Sequence, residues 1–333
     1  MGEFDLIRRY FARPTHLAAQ ASVVVGIGDD CAILQPTPGM QLAVSSDMLV
    51  EGRHFLSTVN PAHLGHKALA VNLSDLAACG ARPLGFTLAL SLPQADEAWL
   101  AGFAQGLFAL ADAHGCALVG GDTTRGPLNI CITVFGEVPP GQALLRSGAK
   151  VGDALWVSGT LGDARLALEV FRGTVPLAMG FSAEAFAAAR ARLEQPTPRV
   201  ALGQALRGIA TSAIDLSDGL LGDLGHVLKA SQVGARIDTS IALKLIAKYP
   251  DNRLPEATFY AKNNLKWVLA GGDDYELAFT APAERHKAVL AAAAQSATPV
   301  TCIGKIEAET GVRLVDAEGR LLPNSFASFD HFA

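Results

Sequence analysis

Short apolar runs alternate with helical patterns in the first half of the chain, and most of these runs end at an aspartate beside a small residue. The apolar runs predict strands at residues 23–27, 41–45, 84–92, 117–120 and 128–138. Apolar positions at helical spacing predict helices at residues 3–12, 61–79 and 96–114. The second of these helices has a clear start, because Asn60 is a favourable N-cap and Pro61 suits the first helical position.

Pro139, Pro140 and Gly141 indicate a linker, after which strands and helices follow one another again. Strands are predicted at residues 154–158, 212–216, 275–280, 300–306 and 312–315, and helices at residues 163–171, 183–193, 220–231 and 283–295. Residues 240–264 are more polar and match neither pattern. Mixed strands and helices in both halves predict an α/β or α+β fold, with domains at residues 1–140 and 150–333.

Six short segments, predicted as loops, carry the aspartates. They are Gly28-Asp29-Asp30, Ser45-Ser46-Asp47, Asn72-Leu73-Ser74-Asp75, Gly120-Gly121-Asp122, Asp215-Leu216-Ser217-Asp218 and Gly271-Gly272-Asp273-Asp274. If the segments converge, each pair of carboxylates ~4 Å apart repels by roughly 4 kcal/mol at an effective dielectric constant of ~20, so cations are required. Oxygen ligands without histidine or cysteine favour Mg²⁺, which usually also contacts substrate phosphates. The pattern therefore indicates phosphoryl transfer.

Three of these aspartates have the clearest context. Asp75 falls in the last turn of the predicted helix, where the macrodipole disfavours an anion, although an exposed helix-end residue is the alternative. Asp122 follows two glycines that allow a phosphate close to the backbone, although an ordinary turn is the alternative. Asp215 lies within an apolar strand, and Ser217 or Asp218 is either a ligand or the cap of the next helix.

Other polar residues have weaker signals. Asp163, Asp223 and Glu276 are interpreted as solvated helix or strand residues. His54 is either a substrate contact or a surface histidine, and Arg146 is either a phosphate contact or a linker charge. Deciding between these alternatives requires the fold.

Composition narrows the class of protein. The 333 residues are 50% hydrophobic and 18% charged with a formal net charge of -5, which argues against a nucleic-acid or anionic-membrane partner. The P-loop and G-x-G-x-x-G motifs are absent. Five cysteines without a C-x-x-C pair indicate buried thiols in a reducing cytoplasm. We find no apolar run of about 18 residues that would span a membrane, and the start of the chain lacks a signal-peptide pattern.

Together the motifs resemble those of the thiamine-monophosphate kinase family. The matching stretches are Gly2-Glu3-Phe4, 26–31, 45–47 with His54, 67–80 (KALAVNLSDLAACG), 120–126 (GGDTTRG), 146–150 (RSGAK), 214–220 (IDLSDGL), 271–277 (GGDDYEL) and Asp330-His331-Phe332. The family is similar to aminoimidazole ribonucleotide synthetase. The resemblance implies a two-domain fold, with N-terminal domains that bind ATP and Mg²⁺ and pair into a β-barrel across a homodimer. It also implies a C-terminal α/β domain that completes the active site.

The resemblance also implies roles for individual residues. It implies that several Mg²⁺ ions are held by Asp30, Ser45, Ser46, Asp47, Asp75, Asp122, Asp215 and Asp218. It implies that ATP is bound by Gly121, Asp122, Arg146 and Ser217, and thiamine monophosphate by His54, Asp273 and Phe326. The family often has tryptophan at the last position, and phenylalanine keeps ring stacking but loses the indole N–H.

The implied reaction converts ATP and thiamine monophosphate into ADP and thiamine diphosphate. The acceptor is a phosphate oxygen that is anionic near neutral pH, so direct in-line transfer needs no general base, and none is assigned. Three alternatives stay open: another ATP-using enzyme of the same superfamily, a Mg²⁺-dependent phosphohydrolase, and a non-catalytic nucleotide-binding or cation-binding protein.

Overall fold

The computed structural model describes residues 3–13, 22–175, 183–246 and 257–326. The chain divides into two compact units. The first unit comprises Met1–Leu76 and Ala81–Ala143, and the second comprises Ala77–Gly80 and Leu144–Ala333.

The first unit combines a sheet with two long helices. Its helices are α1 (Glu3–Leu6), continued by a π-helical turn at Ile7–Phe11, α2 (Pro61–Cys79) and α3 (Glu97–Ala113). Its strands are β1 (Val23–Val25), β2 (Ile33–Leu34), β3 (Gln41–Val50), β4 (Arg82–Leu92), β5 (Ala117–Arg125) and β6 (Asn129–Val138). β1 pairs with β2, and the other four strands form a sheet of order β3-β6-β4-β5 in which only the β4–β5 pair is parallel.

Two glycines let α2 and α3 approach each other closely. A Cβ atom on Gly65 would lie 2.0 Å from the carbonyl oxygen of Phe103, and one on Gly106 would lie 1.7 Å from that of Ala62. Both helix ends match the sequence pattern, because Asn60 Oδ1 accepts from Ala62 N and Asp96 Oδ1 accepts from Trp99 N. Close helix packing fixes α2, and therefore fixes the position of Asp75.

The second unit is built on a larger sheet. Its helices are α4 (Asp163–Phe171), α5 (Ala183–Glu194), α6 (Val200–Ala205), α7 (Leu220–Ser231), α8 (Thr239–Ala242), α9 (Ala257–Ala270) and α10 (His286–Gln295). Its strands are β7 (Ala154–Ser158), β8 (Ser212–Asp215), β9 (Gly234–Asp238), β10 (Leu277–Ala281), β11 (Val300–Glu307), β12 (Gly311–Val315) and β13 (Leu321–Leu322). The strand order is β13-β12-β9-β11-β7-β10-β8, and only the β12–β9 pair is parallel.

Three predicted segments differ from the structure. Residues 45–47 and 120–125 are not loops but parts of β3 and β5, because β6 pairs with β3 through Val50 and β4 pairs with β5 through Arg125. The strand predicted from residue 275 begins instead at Leu277, because Tyr275 has a left-handed backbone with φ of 49°. The motif at residues 330–332 lies outside the described residues, and so do residues 247–256 of the unassigned stretch 240–264.

No helix in the described part of the chain is long and apolar enough to cross a lipid bilayer.

Candidate active site

Strand β3 and helix α2 bring four of the predicted polar residues together, two from each element. Ser45 Oγ donates to Asp75 Oδ2 at 2.5 Å. The backbone N–H of Asp47 donates to Asn72 Oδ1 at 3.2 Å, and Asn72 Nδ2 in turn donates to the carbonyl of Ala68. Asn72 is buried, whereas Asp75 is half-buried. The helix therefore presents an amide and a carboxylate to the strand, and the alternative of an exposed helix-end aspartate is wrong.

Ser46 points away from this group. Its hydroxyl lies 3.0 Å from Thr133 Oγ1 and 3.6 Å from Cys131 Sγ, both on β6. Since neighbouring residues of a strand face opposite sides of the sheet, Ser45 and Asp47 share one face and Ser46 lies on the other. The structure thus separates Ser46 from the pair formed by Ser45 and Asp75.

His54 follows β3 in a short turn. Its Nδ1 accepts from the backbone N–H of Val50 at 3.0 Å, which places any ring proton of the neutral form on Nε2. The backbone carbonyl of His54 accepts from Lys67 Nζ at 3.3 Å, and Lys67 is a buried lysine of α2. The turn is therefore fixed to the helix that carries Asp75.

A cavity of about 770 Å³ in the first unit brings two other acidic segments together. Its wall contains Asp29 and Asp30 from one segment and Gly121 and Asp122 from β5, beside apolar side chains such as Phe11. Asp29 Oδ1 accepts from the backbone N–H of Asp30 at 2.8 Å, which shapes this segment. The cavity is large enough for a nucleotide-sized ligand and combines apolar walls with carboxylates.

Gly121 is required where β5 passes β4. Its φ of 143° lies outside the usual range of residues with side chains, and a Cβ atom would lie 1.9 Å from the carbonyl oxygen of Leu88. The neighbouring Gly120 has no such constraint, because its Cβ would meet only Thr87 Cγ2 at 3.8 Å. Glycine at position 121 therefore determines the backbone conformation immediately before Asp122.

In the second unit, the segment from Asp215 to Gly219 is held by the side chain of Asp223. Asp223 Oδ2 accepts from the backbone N–H groups of Asp218 at 3.0 Å and Gly219 at 3.1 Å. Burial raises the pKa of Asp223 to about 7, and the nearby charge of Asp218 adds to the rise against the opposing backbone hydrogen bonds. Asp215 is buried at the end of β8, opposite Leu277.

Asp273 lies on a loop that packs against this segment. The backbone N–H of Asp273 donates to the carbonyl of Ser217, and that of Tyr275 donates to the carbonyl of Leu216, both at 2.8 Å. Asp273 has a φ of 61°, a left-handed conformation that is uncommon for a residue other than glycine. The structure therefore brings Asp273 beside Ser217, as two of the predicted site residues.

The interpretation of Asp163, Asp223 and Glu276 as solvated residues is wrong, because all three are buried. Glu276 forms ion pairs with Arg192 and Arg199, and Thr160 Oγ1 donates to Asp163 Oδ2. Sequence reasoning missed this cluster because Glu276 lies more than 70 residues from both arginines. One signal in the sequence does indicate a buried Glu276: the residue lies between a glycine-rich loop and an apolar strand.

The buried Asp274 was also missed as a distinct group. Its Oδ1 accepts from the backbone N–H of Gly162 at 2.9 Å, while Oδ2 has no hydrogen-bond partner within the described ranges. Burial raises the pKa of Asp274 well above its usual value, and the charges of Asp163 and Glu276 act in the same direction. A protonated carboxyl fits this environment.

The remaining predicted residues occupy simpler positions. Arg146 is exposed, and its carbonyl accepts from Ser231 Oγ. Phe326 packs half-buried against the apolar core of the second unit. Within the described ranges, no three or more His, Cys, Asp or Glu side chains are grouped closely enough to form a metal site. The acidic residues instead form smaller groups, which contain carboxylate and hydroxyl oxygens.

Comparison with known proteins covers both units. Residues 28–138 match the AIR synthase related protein N-terminal domain, and residues 150–317 match the corresponding C-terminal domain. The thiamine-monophosphate kinase of Escherichia coli K12 is 45% identical over 100% of this chain and 98% of its own. That of Salmonella typhimurium is 46% identical over the same shares.

Solved structures agree with these matches. Thiamine-monophosphate kinase from Stenotrophomonas maltophilia is 44% identical, with a TM-score of 0.82 over 97% of this chain and 98% of its own. AaThiL complexed with AMPPCP and TMP is 29% identical, with a TM-score of 0.73 over 99% and 96%. These matches confirm the predicted mixed α/β architecture of the AIR synthase type.

Proposed function

The chain belongs to the thiamine-monophosphate kinase family, and we infer that it phosphorylates thiamine monophosphate to thiamine diphosphate with ATP as the phosphoryl donor. The observation that carries this inference is the similarity to thiamine-monophosphate kinases over the whole chain. The AaThiL complex, which holds AMPPCP and TMP together, supports the same pair of substrates.

We propose that the first unit supplies ATP contacts and Mg²⁺ ligands, as the domain division at residues 1–140 and 150–333 predicts. The cavity lined by Asp30, Gly121 and Asp122 supports this proposal. These residues contribute two carboxylates to its wall, and the glycine on β5 leaves the backbone open to close approach by a ligand. The proposed ATP contacts are Gly121 and Asp122 in the first unit, with Arg146 and Ser217 in the second.

Divalent cations fit the chemistry of these side chains. The proposed Mg²⁺ ligands offer only carboxylate and hydroxyl oxygens, and they are Asp30, Ser45, Ser46, Asp47, Asp75, Asp122, Asp215 and Asp218. Mg²⁺ keeps several waters and uses only one or two protein carboxylates. A small group such as Ser45 with Asp75 is therefore sufficient to bind an ion. Bound Mg²⁺ would neutralise phosphate oxygens and offset the repulsion between the two anionic substrates.

We propose that His54, Asp273 and Phe326 contact thiamine monophosphate. His54 contributes binding rather than proton removal, because its Nδ1 already accepts from Val50 and the acceptor phosphate is ionised near neutral pH. Asp273 would face a cationic part of the substrate, and Phe326 would stack against a ring. The resulting mechanism is direct, in-line and Mg²⁺-assisted, without a phospho-enzyme.

A homodimer that joins the first units is also proposed. β3 is an edge strand of its sheet, and it exposes a row of apolar side chains: Leu42 at 50%, Val44 at 56% and Met48 at 54% exposure. An apolar edge strand of this kind favours pairing with a second copy, which in the family would close a β-barrel. The proposed location is the cytoplasm, and the five free thiols support it. The prediction that these thiols are buried holds for Cys116 but is wrong for Cys31, which is exposed.

The testing experiment incubates the purified full chain with ATP, Mg²⁺ and thiamine monophosphate and separates the products by chromatography. We expect one thiamine diphosphate per ADP, and no product when a chelator is present. Inorganic phosphate in place of thiamine diphosphate would identify a phosphohydrolase. Binding of ATP without any ADP would identify a non-catalytic nucleotide-binding protein.

A further inference from the structure

Three side chains of the second unit form an ion cluster around a buried carboxylate, beside the loop at residues 271–275. Glu276 has no exposed surface, and it accepts from Arg199 Nε and Nη2, each at 2.6 Å, in a two-pronged contact. Arg192 Nη2 donates to the same carboxylate at 2.7 Å, and Ser158 Oγ donates at 2.6 Å. A buried carboxylate with this many donors is fixed in one position.

The cluster is connected directly to the loop backbone. Arg192 Nη2 also donates to the carbonyl oxygen of Asp274 at 2.9 Å. The cluster leaves no spare room, because a Cβ atom on Gly159 would lie 2.1 Å from Glu276 Oε1. Arg192 therefore links α5 to the two residues that flank Tyr275.

The loop needs such support, since two of its residues have unfavourable backbones. Asp273 and Tyr275 have φ values of 61° and 49°, and residues with side chains hold that conformation only when their surroundings impose it. The backbone hydrogen bonds to Leu216 and Ser217 impose it from one side. The contact of Arg192 with the Asp274 carbonyl is a further restraint.

We propose that Arg192, Arg199 and Glu276 are positioning residues that hold the 271–275 loop, and with it Asp273, in its substrate-binding position. The role of Asp273 rests on the proposed function, whereas the effect of the cluster on the loop does not. These residues act through the backbone of the loop, so their loss changes substrate affinity without removing a group that touches the substrate.

The test compares Arg192→Gln and Arg192→Lys with the control Arg190→Gln in the full-length protein. Arg190 lies on the same helix and pairs with Glu194 at 2.8 Å, so the control also loses an arginine ion pair of α5. Hydrogen exchange is measured at the amides of Asp273 and Tyr275. We expect exchange about tenfold faster in Arg192→Gln, a smaller increase in Arg192→Lys, and wild-type rates in the control.

Steady-state kinetics supply the second measurement, at a temperature where every variant is folded. We expect the KM for thiamine monophosphate to rise about tenfold in Arg192→Gln with the KM for ATP unchanged, because only the loop has moved. Exchange rates in Arg192→Gln equal to those of the control would overturn the proposal, and so would a loss of kcat alone. If Arg192→Gln does not fold, Arg192→Lys decides by the same criteria. A wild-type enzyme that makes no thiamine diphosphate would refute the proposed function, while the exchange rates would still decide the role of the cluster.

Discussion

Ser45 on β3 and Asp75 on α2 are joined by a 2.5 Å hydrogen bond between hydroxyl and carboxylate. The bond connects a sheet edge to a helix whose position is fixed by close packing against α3. It places two oxygen ligands of the type that Mg²⁺ prefers next to each other. The pair is the best-defined part of the proposed metal-binding set.

Asp75→Asn should abolish most activity but keep the fold. The asparagine carbonyl can still accept from Ser45, whereas the charge that would hold Mg²⁺ is lost. We expect kcat to fall by roughly two orders of magnitude, the scale for losing one transition-state-stabilising group. The melting temperature in chelator should be unchanged or higher, because one negative charge is removed. The control is Asp112→Asn, since Asp112 on α3 pairs with Arg13 at 2.8 Å and is not one of the proposed ligands. Full turnover in Asp75→Asn would refute the assignment of Asp75.

Gly121→Ala should destabilise the first unit and weaken nucleotide binding. A Cβ at 1.9 Å from the Leu88 carbonyl forces β4 and β5 apart, and we expect a loss of about 1–3 kcal/mol in the free energy of unfolding. Urea unfolding and titration with a non-hydrolysable ATP analogue measure the two effects. Gly120→Ala is the matched control, because its Cβ makes only an ordinary contact. Equal effects of the two substitutions would show that the close approach to Leu88 does not determine stability or nucleotide binding.

Replacing Val44 and Met48 together by glutamate should produce a monomer. Both side chains are more than half exposed, so the monomer itself should lose little stability, within about 0.5 kcal/mol for each surface change. A dimer formed through β3 would bury these charges without partners. Light scattering after gel filtration gives the mass. Leu290→Glu is the control, since Leu290 is exposed on α10 of the second unit. An unchanged dimer mass would place the interface elsewhere.

Local signals predicted α2 and α3 well, whereas α6, α8 and α9 were not predicted. The N-caps Asn60 and Asp96 and the helical spacing that follows them are contained in short windows of sequence, so α2 and α3 begin where the pattern indicates. The strand at residues 41–45 was predicted too short, because the polar stretch Ser45, Ser46 and Asp47 looks like a loop. Only its pairing with the distant β6 makes it a strand.

The buried carboxylates were harder to predict from local sequence. Nothing near Glu276 in the sequence indicates Arg192 and Arg199, and without those partners a buried glutamate is unfavourable. Propensity and spacing therefore assigned these acids to the surface. Likewise, the alternation of side chains along β3 separates Ser46 from Ser45, a distinction that follows only once the strand itself is established. Long-range pairing, rather than local preference, determines these positions.

Asp274 gives the fold a pH dependence that Asp274→Asn should remove. Burial raises the pKa of Asp274 in the folded protein, so between the unfolded pKa near 3.9 and the raised value the folded chain holds a proton that the unfolded chain has lost. The stabilising contribution of Asp274 is therefore full below about pH 4 and declines as the pH rises. We expect Asp274→Asn to gain stability relative to the wild type between about pH 5 and pH 8, as measured by urea unfolding.

Glu307→Gln provides a control in which folding lowers the pKa of the carboxyl instead of raising it. Burial alone would raise the pKa of Glu307, but the hydrogen bond from Arg313 and the charges of Arg236, Arg313 and Lys305 outweigh it and lower that pKa. Its stabilising contribution is present above the unfolded pKa and is lost only as the pH falls, so the difference from wild type should be constant from about pH 5 to pH 8. If Asp274→Asn shows the same constant difference as Glu307→Gln, Asp274 is ionised in the folded protein, and its Oδ2 must then have a partner such as a bound water or cation.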